Sequence, residues 1–167
     1  MHDVYALRKL LSSLSNTTNT PEDRARKSEE ILRTLGQNST FIRESAEPIV
    51  GVISVYGYEP SMAKLLDAIL AKTPESITAT MLKTMIHKIQ YFDYESGLLP
   101  AKLENVRKIL EKRPNLRKAA VDKVFDLAKA GMDERTHQLL NLVIGQMHDP
   151  TAAKLRKRQA QLLQSRV

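Results

Sequence analysis

The sequence of 167 residues contains no cysteine, which excludes disulfide bonds, thiolate zinc sites and thiol nucleophiles. It also lacks an apolar run near the roughly 18 residues that cross a bilayer, because the longest candidate, IVGVISVYGY, ends after ten. We therefore expect no membrane span. With 42% hydrophobic and 27% charged residues, the composition is typical of a globular domain with a real core.

Motifs that carry catalysis are missing as well. The glycines stand singly, so there is no Gly-rich phosphate loop, and no GxSxG elbow occurs. The four histidines, at positions 2, 87, 137 and 148, have no spacing typical of metal ligands and are better interpreted as surface or packing residues. We predict a protein that is not an enzyme, with no metal site, no cofactor and no small-molecule substrate.

Charge is unevenly distributed along the chain. Residues 1 to 100 hold 11 Lys/Arg and 12 Asp/Glu, whereas residues 101 to 167 hold 15 and 7, so the C-terminal part carries the whole net charge of +7. Such asymmetry favours an anionic partner, most often nucleic acid or an acidic protein surface. The alternative is a solvated basic face that maintains solubility.

Apolar residues recur at spacings of three and four throughout, which predicts an all-α fold. Starts are indicated where Thr or Asp precedes Pro, at Thr20, Thr73 and Asp149. The predicted helices cover residues 3–14, 21–35, 40–57 with a possible break near Pro48, 60–72, 75–93, 100–112, 115–130, 133–147 and 150–165.

The sequence contains an internal repeat. The segment YGYEPSMAKLLDAILAKTP at 56–74 is similar to YFDYESGLLPAKLENVRKILEKRP at 91–114. The Tyr-Glu pairs are 36 residues apart, and the prolines at 74, 114 and 150 are separated by 40 and 36 residues. This period is typical of helical-hairpin repeats. We predict a right-handed α-solenoid-like stack of about three hairpins, in which Tyr58 and Tyr94 pack between hairpins.

The expected organisation is a single helical domain over residues 1–167. Residues 1–38 form N-terminal cap helices, 45–148 the hairpin repeats and 150–167 a basic C-terminal helix. The segment MHDVYALRKLLSSLSNTTNT has the basic, Ser-rich amphipathic pattern of a mitochondrial presequence. We favour a structural first helix whose leucines dock on the cap or on another subunit.

The pattern VYGYEPS followed by Leu65 and Leu66 resembles the helical-repeat region of FAST-kinase-like and RAP-domain organellar proteins, including the heptatricopeptide type. KAGMDERTHQLLNLV is similar to the hinge of a pentatricopeptide repeat. The resemblance covers about residues 45 to 150 and includes no RAP domain. It implies RNA binding, or assembly on an organellar ribonucleoprotein, in the mitochondrial matrix, without catalysis by the repeats.

Three groups of residues are candidates for contacting RNA. The first is a stripe on the helix at 75–93, where a base could stack on Tyr91 or on the nearby Tyr94: Lys83, His87 and Tyr91. The second surrounds the junction RKILEKRPNLRK: Arg107, Lys108, Lys112, Arg113, Arg117 and Lys118. The third lies on the last helix: Lys154, Arg156, Lys157 and Arg158. For the second and third groups, the alternative is solvated surface charge with apolar stems packed on the protein.

Two functions follow from these patterns. The first is a non-catalytic helical-repeat protein that binds RNA or a ribonucleoprotein through its basic C-terminal half, in mitochondria. The second is an adaptor, cytoplasmic if not mitochondrial, whose basic face binds an acidic protein partner.

Overall fold

The computed structural model describes residues 4–37, 41–57, 59–92, 99–131 and 133–164, except for the side chains of residues 4, 43, 44 and 90–92. Within these ranges all regular structure is helical, so the predicted all-α class is confirmed. The α-helices are α1 Val4–Leu14, α2 Pro21–Gln37, α3 Ile42–Tyr56, α4 Pro60–Leu70, α5 Glu75–Phe92, α6 Leu99–Lys112, α7 Arg117–Ala130, α8 Glu134–Gly145 and α9 Asp149–Gln164, with a 3-10 turn at Pro114–Leu116 between α6 and α7. Tyr58 and Tyr94 lie outside the described residues.

Local side-chain chemistry explains where several helices begin. At the start of α2, Thr20 Oγ1 accepts from the Asp23 N–H at 3.1 Å, and Asp23 Oδ2 accepts from the Thr20 N–H at 3.0 Å. This reciprocal capping satisfies two backbone donors that have no partner within the helix. Pro21 follows as the first helical residue, where its missing N–H costs nothing.

The helix α3 continues through Pro48 without the break that the sequence suggested. The proline ring is exposed, whereas its neighbours Ile49, Val50 and Ile53 are buried. A proline inside a helix removes one backbone hydrogen bond. Packing of the apolar face of α3 offsets that loss, which the local sequence does not reveal.

The contacts divide the chain into two compact units, residues 1–85 and 86–167, which we call the N-terminal and C-terminal units. In the N-terminal unit, α2 packs on α1 and α4, and α3 also contacts α1 and α4. In the C-terminal unit, α8 contacts α6, α7 and α9. The solenoid stacking, its 36 to 40 residue period and the single-domain organisation stay predictions.

The first helix belongs to the core of its unit. Leu7, Leu11 and Leu14 of α1 are 2%, 5% and 0% exposed, and α1 contacts both α2 and α3. This agrees with the interpretation of residues 4–14 as a structural helix. In the C-terminal unit, α7 buries Val124 and Phe125, both 0% exposed.

A buried ion pair joins three helices at the centre of the N-terminal unit. Arg24 of α2 is 4% exposed, and Glu59, which precedes α4, is 7% exposed. Arg24 Nε donates to both carboxylate oxygens at 3.1 and 2.8 Å, and Nη2 donates to Oε1 at 2.5 Å. The guanidinium carbon lies 3.8 Å from the ring centroid of Tyr56 at the end of α3. The pair therefore fixes α2 against the α3–α4 turn.

The same guanidinium extends the network to the α1–α2 turn. Arg24 Nη1 donates to the Asn19 carbonyl at 2.8 Å, and Asn19 Nδ2 donates to the carbonyls of Ser13 and Leu14 at 2.7 and 3.1 Å. Lys27 Nζ binds Asn19 Oδ1 at 2.5 Å. Carbonyls at the end of a helix lack partners within it, so Asn19 satisfies those of α1 and links them to the ion pair.

Glu59→Gln should lower the free energy of unfolding by about 3–5 kcal/mol, because it leaves the buried Arg24 charge without its counterion while preserving side-chain volume. Urea titration followed by circular dichroism measures the change. Arg26→Met is the matched control, since it removes an exposed cation from the same helix, paired to Asp23 at 3.2 Å. Equal midpoints for wild type and Glu59→Gln would show that the buried pair contributes nothing.

Asp133 caps the N-terminus of α8 by accepting from the Thr136 N–H at 2.9 Å. Burial raises the pKa of Asp133, but hydrogen bonds from Thr136 and Arg135 outweigh it and lower the pKa below the usual value. A carboxylate with a lowered folded pKa stabilises the fold above its unfolded pKa, near 3.9, and this contribution disappears as the pH falls through the folded value.

Asp133→Ala should therefore cost about 1 kcal/mol at neutral pH, with the cost shrinking as the pH falls below about 4. Asp133→Asn is the control, because it keeps an accepting oxygen but does not titrate. Urea unfolding at several pH values measures both variants, and a cost for Asp133→Ala that stays constant down to pH 2 would contradict the assignment.

Candidate nucleic-acid interface

The two units differ in net charge as the two parts of the sequence do. Residues 1–85 contain 10 Lys/Arg and 10 Asp/Glu, whereas residues 86–167 contain 16 and 9. The C-terminal unit therefore carries the entire net charge of +7. Any surface that attracts a polyanion through net charge belongs to this unit.

Arg107, predicted to contact RNA, is already paired with carboxylates. Its guanidinium binds Glu104 one turn before it and Glu111 one turn after it along α6. The hydrogen bond from Arg107 lowers the pKa of Glu104, because it stabilises the charged carboxylate more than burial disfavours it. The same hydrogen bond raises the pKa of Arg107 above its usual value. This cation is therefore a weak candidate for binding phosphate.

The rest of the α6–α7 junction is divided between exposed and half-buried cations. Lys112 and Lys118 are exposed, whereas Lys108, Arg113 and Arg117 are half-buried. The Nε atom of Arg117 is buried and has no hydrogen-bond partner in the described part of the chain. The junction thus offers two exposed lysines rather than six equivalent charges.

The helix α9 presents all four of its predicted cations to solvent. Lys154, Arg156, Lys157 and Arg158 are exposed, and within the described ranges none of them forms an ion pair. The one acidic residue of α9, Asp149, lies at its first position, where it suits the helix dipole. Lys154, Lys157 and Arg158 stand at i, i+3 and i+4, so they share one side of the helix.

Contacts with α7 and α8 hold α9 in place. The guanidinium carbon of Arg158 lies 4.2 Å from the ring centroid of Phe125 on α7. Arg156 Nη1 and Gln159 Nε2 each donate to Asn141 Oδ1 on α8, both at 3.1 Å. Two of the four cations therefore have contacts within the protein.

The predicted stripe on α5 is only partly described. Lys83 and His87 are exposed, and Tyr91 lies on the helix with its side chain outside the described residues. Thr80 and Thr84, on the same side, donate to the carbonyls of Ser76 and Thr80. They line a small depression of ≈ 150 Å³ next to Glu47. An acid beside the stripe makes this surface less suited to phosphate than α9.

A larger cleft of ≈ 500 Å³ lies between α1 and α2. Leu7 and Leu10 form part of its lining, together with Lys9, Glu30 and Arg33. Because cations and an acid share the cleft, it indicates no single ligand chemistry.

Neither a metal cluster nor a membrane-spanning helix occurs in the described ranges. No three His, Asp or Glu side chains there lie close enough together to hold a metal ion. None of the described helices combines the length and the apolar character that a bilayer crossing needs.

Sequence reasoning found the cations of α9 but missed the residues that position them. Phe125, Asn141 and Gln159 were not candidates, and their contacts with the basic helix are tertiary. One signal was present in the sequence. Asn141 interrupts the apolar run LLNLVIG, which places an exposed polar side chain next to the packed residues of α8.

The chain matches no protein-family model, no curated protein and no solved structure significantly. The resemblance to organellar helical-repeat proteins stays a prediction.

Arg107→Gln should raise the pKa of Glu104 towards its usual value near 4.3, because the carboxylate loses the hydrogen bond that stabilises its charged form. Titration followed by carboxyl-carbon NMR measures the pKa. Lys108→Gln should raise it much less, since Lys108 acts on Glu104 only through its charge. An unchanged Glu104 pKa in Arg107→Gln would contradict the pairing of Arg107 with Glu104.

Proposed function

We propose that this chain is a non-catalytic RNA-binding protein that contacts phosphates through its C-terminal unit, chiefly through α9. The observation that carries the proposal is the exposed side of α9, where Lys154 and Lys157 lie on one helical face and no carboxylate is paired to them among the described residues. Unpaired exposed cations keep their full attraction for an added anion.

Physical chemistry favours a phosphate backbone as the partner. A row of cations along a helix is complementary to a polymer that carries a charge at every unit, and each neutralised phosphate releases condensed counterions. Arginine and lysine contacts of this kind fix the position of a protein on nucleic acid without reading its sequence. Gln161, exposed one turn further along the same side, could add hydrogen bonds to a sugar or a base.

The junction lysines extend this surface in the same unit. Lys112 and Lys118 are exposed on either side of the 3-10 turn, whereas Arg107 is neutralised by its two glutamates. We therefore rank the α9 lysines first, the junction lysines second and Arg107 last. The resemblance to organellar helical-repeat proteins supports a mitochondrial ribonucleoprotein as the setting.

The test is a salt titration of binding to a fluorescent single-stranded RNA of mixed sequence. The slope of log Kobs against log salt should become less steep by about 0.7 for each phosphate contact removed. Lys154→Gln/Lys157→Gln should thus reduce the slope by roughly 1.4 and weaken binding at every salt concentration.

Lys64→Gln/Lys72→Gln is the matched control, because both lysines are exposed and belong to the electrically neutral N-terminal unit. It should leave the slope unchanged. Equal losses in the two double variants would contradict an interface on α9. Competition by polyglutamate as strong as that by RNA would instead favour an adaptor for an acidic protein.

A further inference from the structure

The helix α9 is held on its unit with little apolar burial. Gln159, 6% exposed, is its one buried residue within the described range, and Ala152, Leu155 and Leu162 are half-buried. A helix of 16 residues is marginally stable alone in water. In a folded protein, most of the stability of such a helix normally comes from packing of its apolar face. The position of α9 must therefore depend strongly on its polar contacts.

Arg158 provides the contact with α7. Its guanidinium lies 4.2 Å from the ring centroid of Phe125, which is fully buried. A planar cation over an aromatic face gains electrostatic attraction and covers the ring. Lysine, a compact and strongly hydrated charge, cannot stack in the same way.

Asn141 provides the contact with α8. Its Oδ1 accepts from Arg156 Nη1 and from Gln159 Nε2, each at 3.1 Å. One neutral side chain thus accepts two hydrogen bonds from successive turns of α9. Removing it would release both donors without changing the charge of the protein.

Lys154 and Lys157 differ from these two arginines. Both are exposed and have no hydrogen bond or ion pair with another described residue. At i and i+3 their Cβ atoms lie about 5–6 Å apart on the helix. Their ammonium groups are therefore presented side by side, and only as long as α9 stays docked.

We propose that α9 divides its cations by role: Arg156 and Arg158 attach the helix to α7 and α8, and Lys154 and Lys157 bind RNA phosphates. This inference rests on the proposed function. Asn141 and Phe125 then become positioning residues for RNA binding, although they need not touch the RNA. An undocked α9 would have to be ordered again on binding, and that cost weakens affinity.

The experiment measures RNA affinity, its salt slope and the hydrogen exchange of residues 149–164 in the full chain. Asn141→Ala removes no charge, and Arg158→Lys keeps the charge but loses the stacking. In both variants, protection of α9 should fall about fivefold and affinity about 3- to 10-fold. The salt slope should stay that of the wild type, because the number of phosphate contacts is unchanged.

Two controls make the result specific. Gln37→Ala removes an exposed amide from the neutral N-terminal unit and should change neither exchange of α9 nor affinity. Lys154→Arg/Lys157→Arg keeps both charges and should retain binding and slope. Circular dichroism checks that each variant is folded. If Asn141→Ala unfolds the unit, Arg158→Lys alone tests whether RNA binding needs a docked α9.

Each outcome bears on the inference. If hydrogen exchange shows reduced protection of α9 while RNA affinity stays unchanged, RNA binding does not require α9 to be docked on α7 and α8, and the inference is overturned. A loss of slope in Arg156→Gln/Arg158→Gln equal to that in the lysine pair would show that the arginines bind phosphate themselves. If wild type fails to bind RNA, the proposed function fails and this inference with it, whereas the exchange data would still report how α9 is docked.

Discussion

The ion pair between Arg24 and Glu59 is the constraint on which the N-terminal unit depends. Removing two charges from water costs several kcal/mol for each ion, and their attraction offsets this only with near-ideal geometry and further hydrogen bonds. Here the guanidinium of Arg24 donates hydrogen bonds to both carboxylate oxygens of Glu59 and to the Asn19 carbonyl, and the Tyr56 ring covers its face. Because these partners come from α2, from the α1–α2 turn and from the α3–α4 turn, the pair specifies how four helices meet.

Most of the positive charge in the C-terminal unit lies at or near the surface, although Lys102 is only 8% exposed. Arg107 is neutralised by glutamates on its own helix, whereas the cations of α9 face either the protein or solvent. The total charge of the unit therefore overstates the charge that a ligand can use. The basic residues available to a phosphate are a small subset, and their location follows from which cations already have partners.

Helix positions followed from the sequence because they depend on local patterns. Apolar spacing and the Thr-Pro start at Thr20 placed the helices within a few residues of where they lie. The burial of Arg24 could not be predicted, since its partner lies 35 residues away and an arginine counts as a surface residue in any helical pattern. The site divides in the same way. The pairing of Arg107 can be predicted from the sequence, because glutamates stand at i−3 and i+4 on the same helix. The stacking of Arg158 on Phe125 cannot, because it depends on how α7 and α9 pack.

The confinement of net charge to one unit also has a kinetic consequence. Charges on exposed side chains act over about a Debye length, roughly 10 Å at 0.1 M salt, so the field felt by an approaching polyanion comes from the unit of net +7 and not from the neutral one. Such a field increases the rate of encounter more than the lifetime of the complex. For the proposed RNA partner, association at low ionic strength would thus be fast and weakly selective, and discrimination between RNAs would have to arise after the first collision.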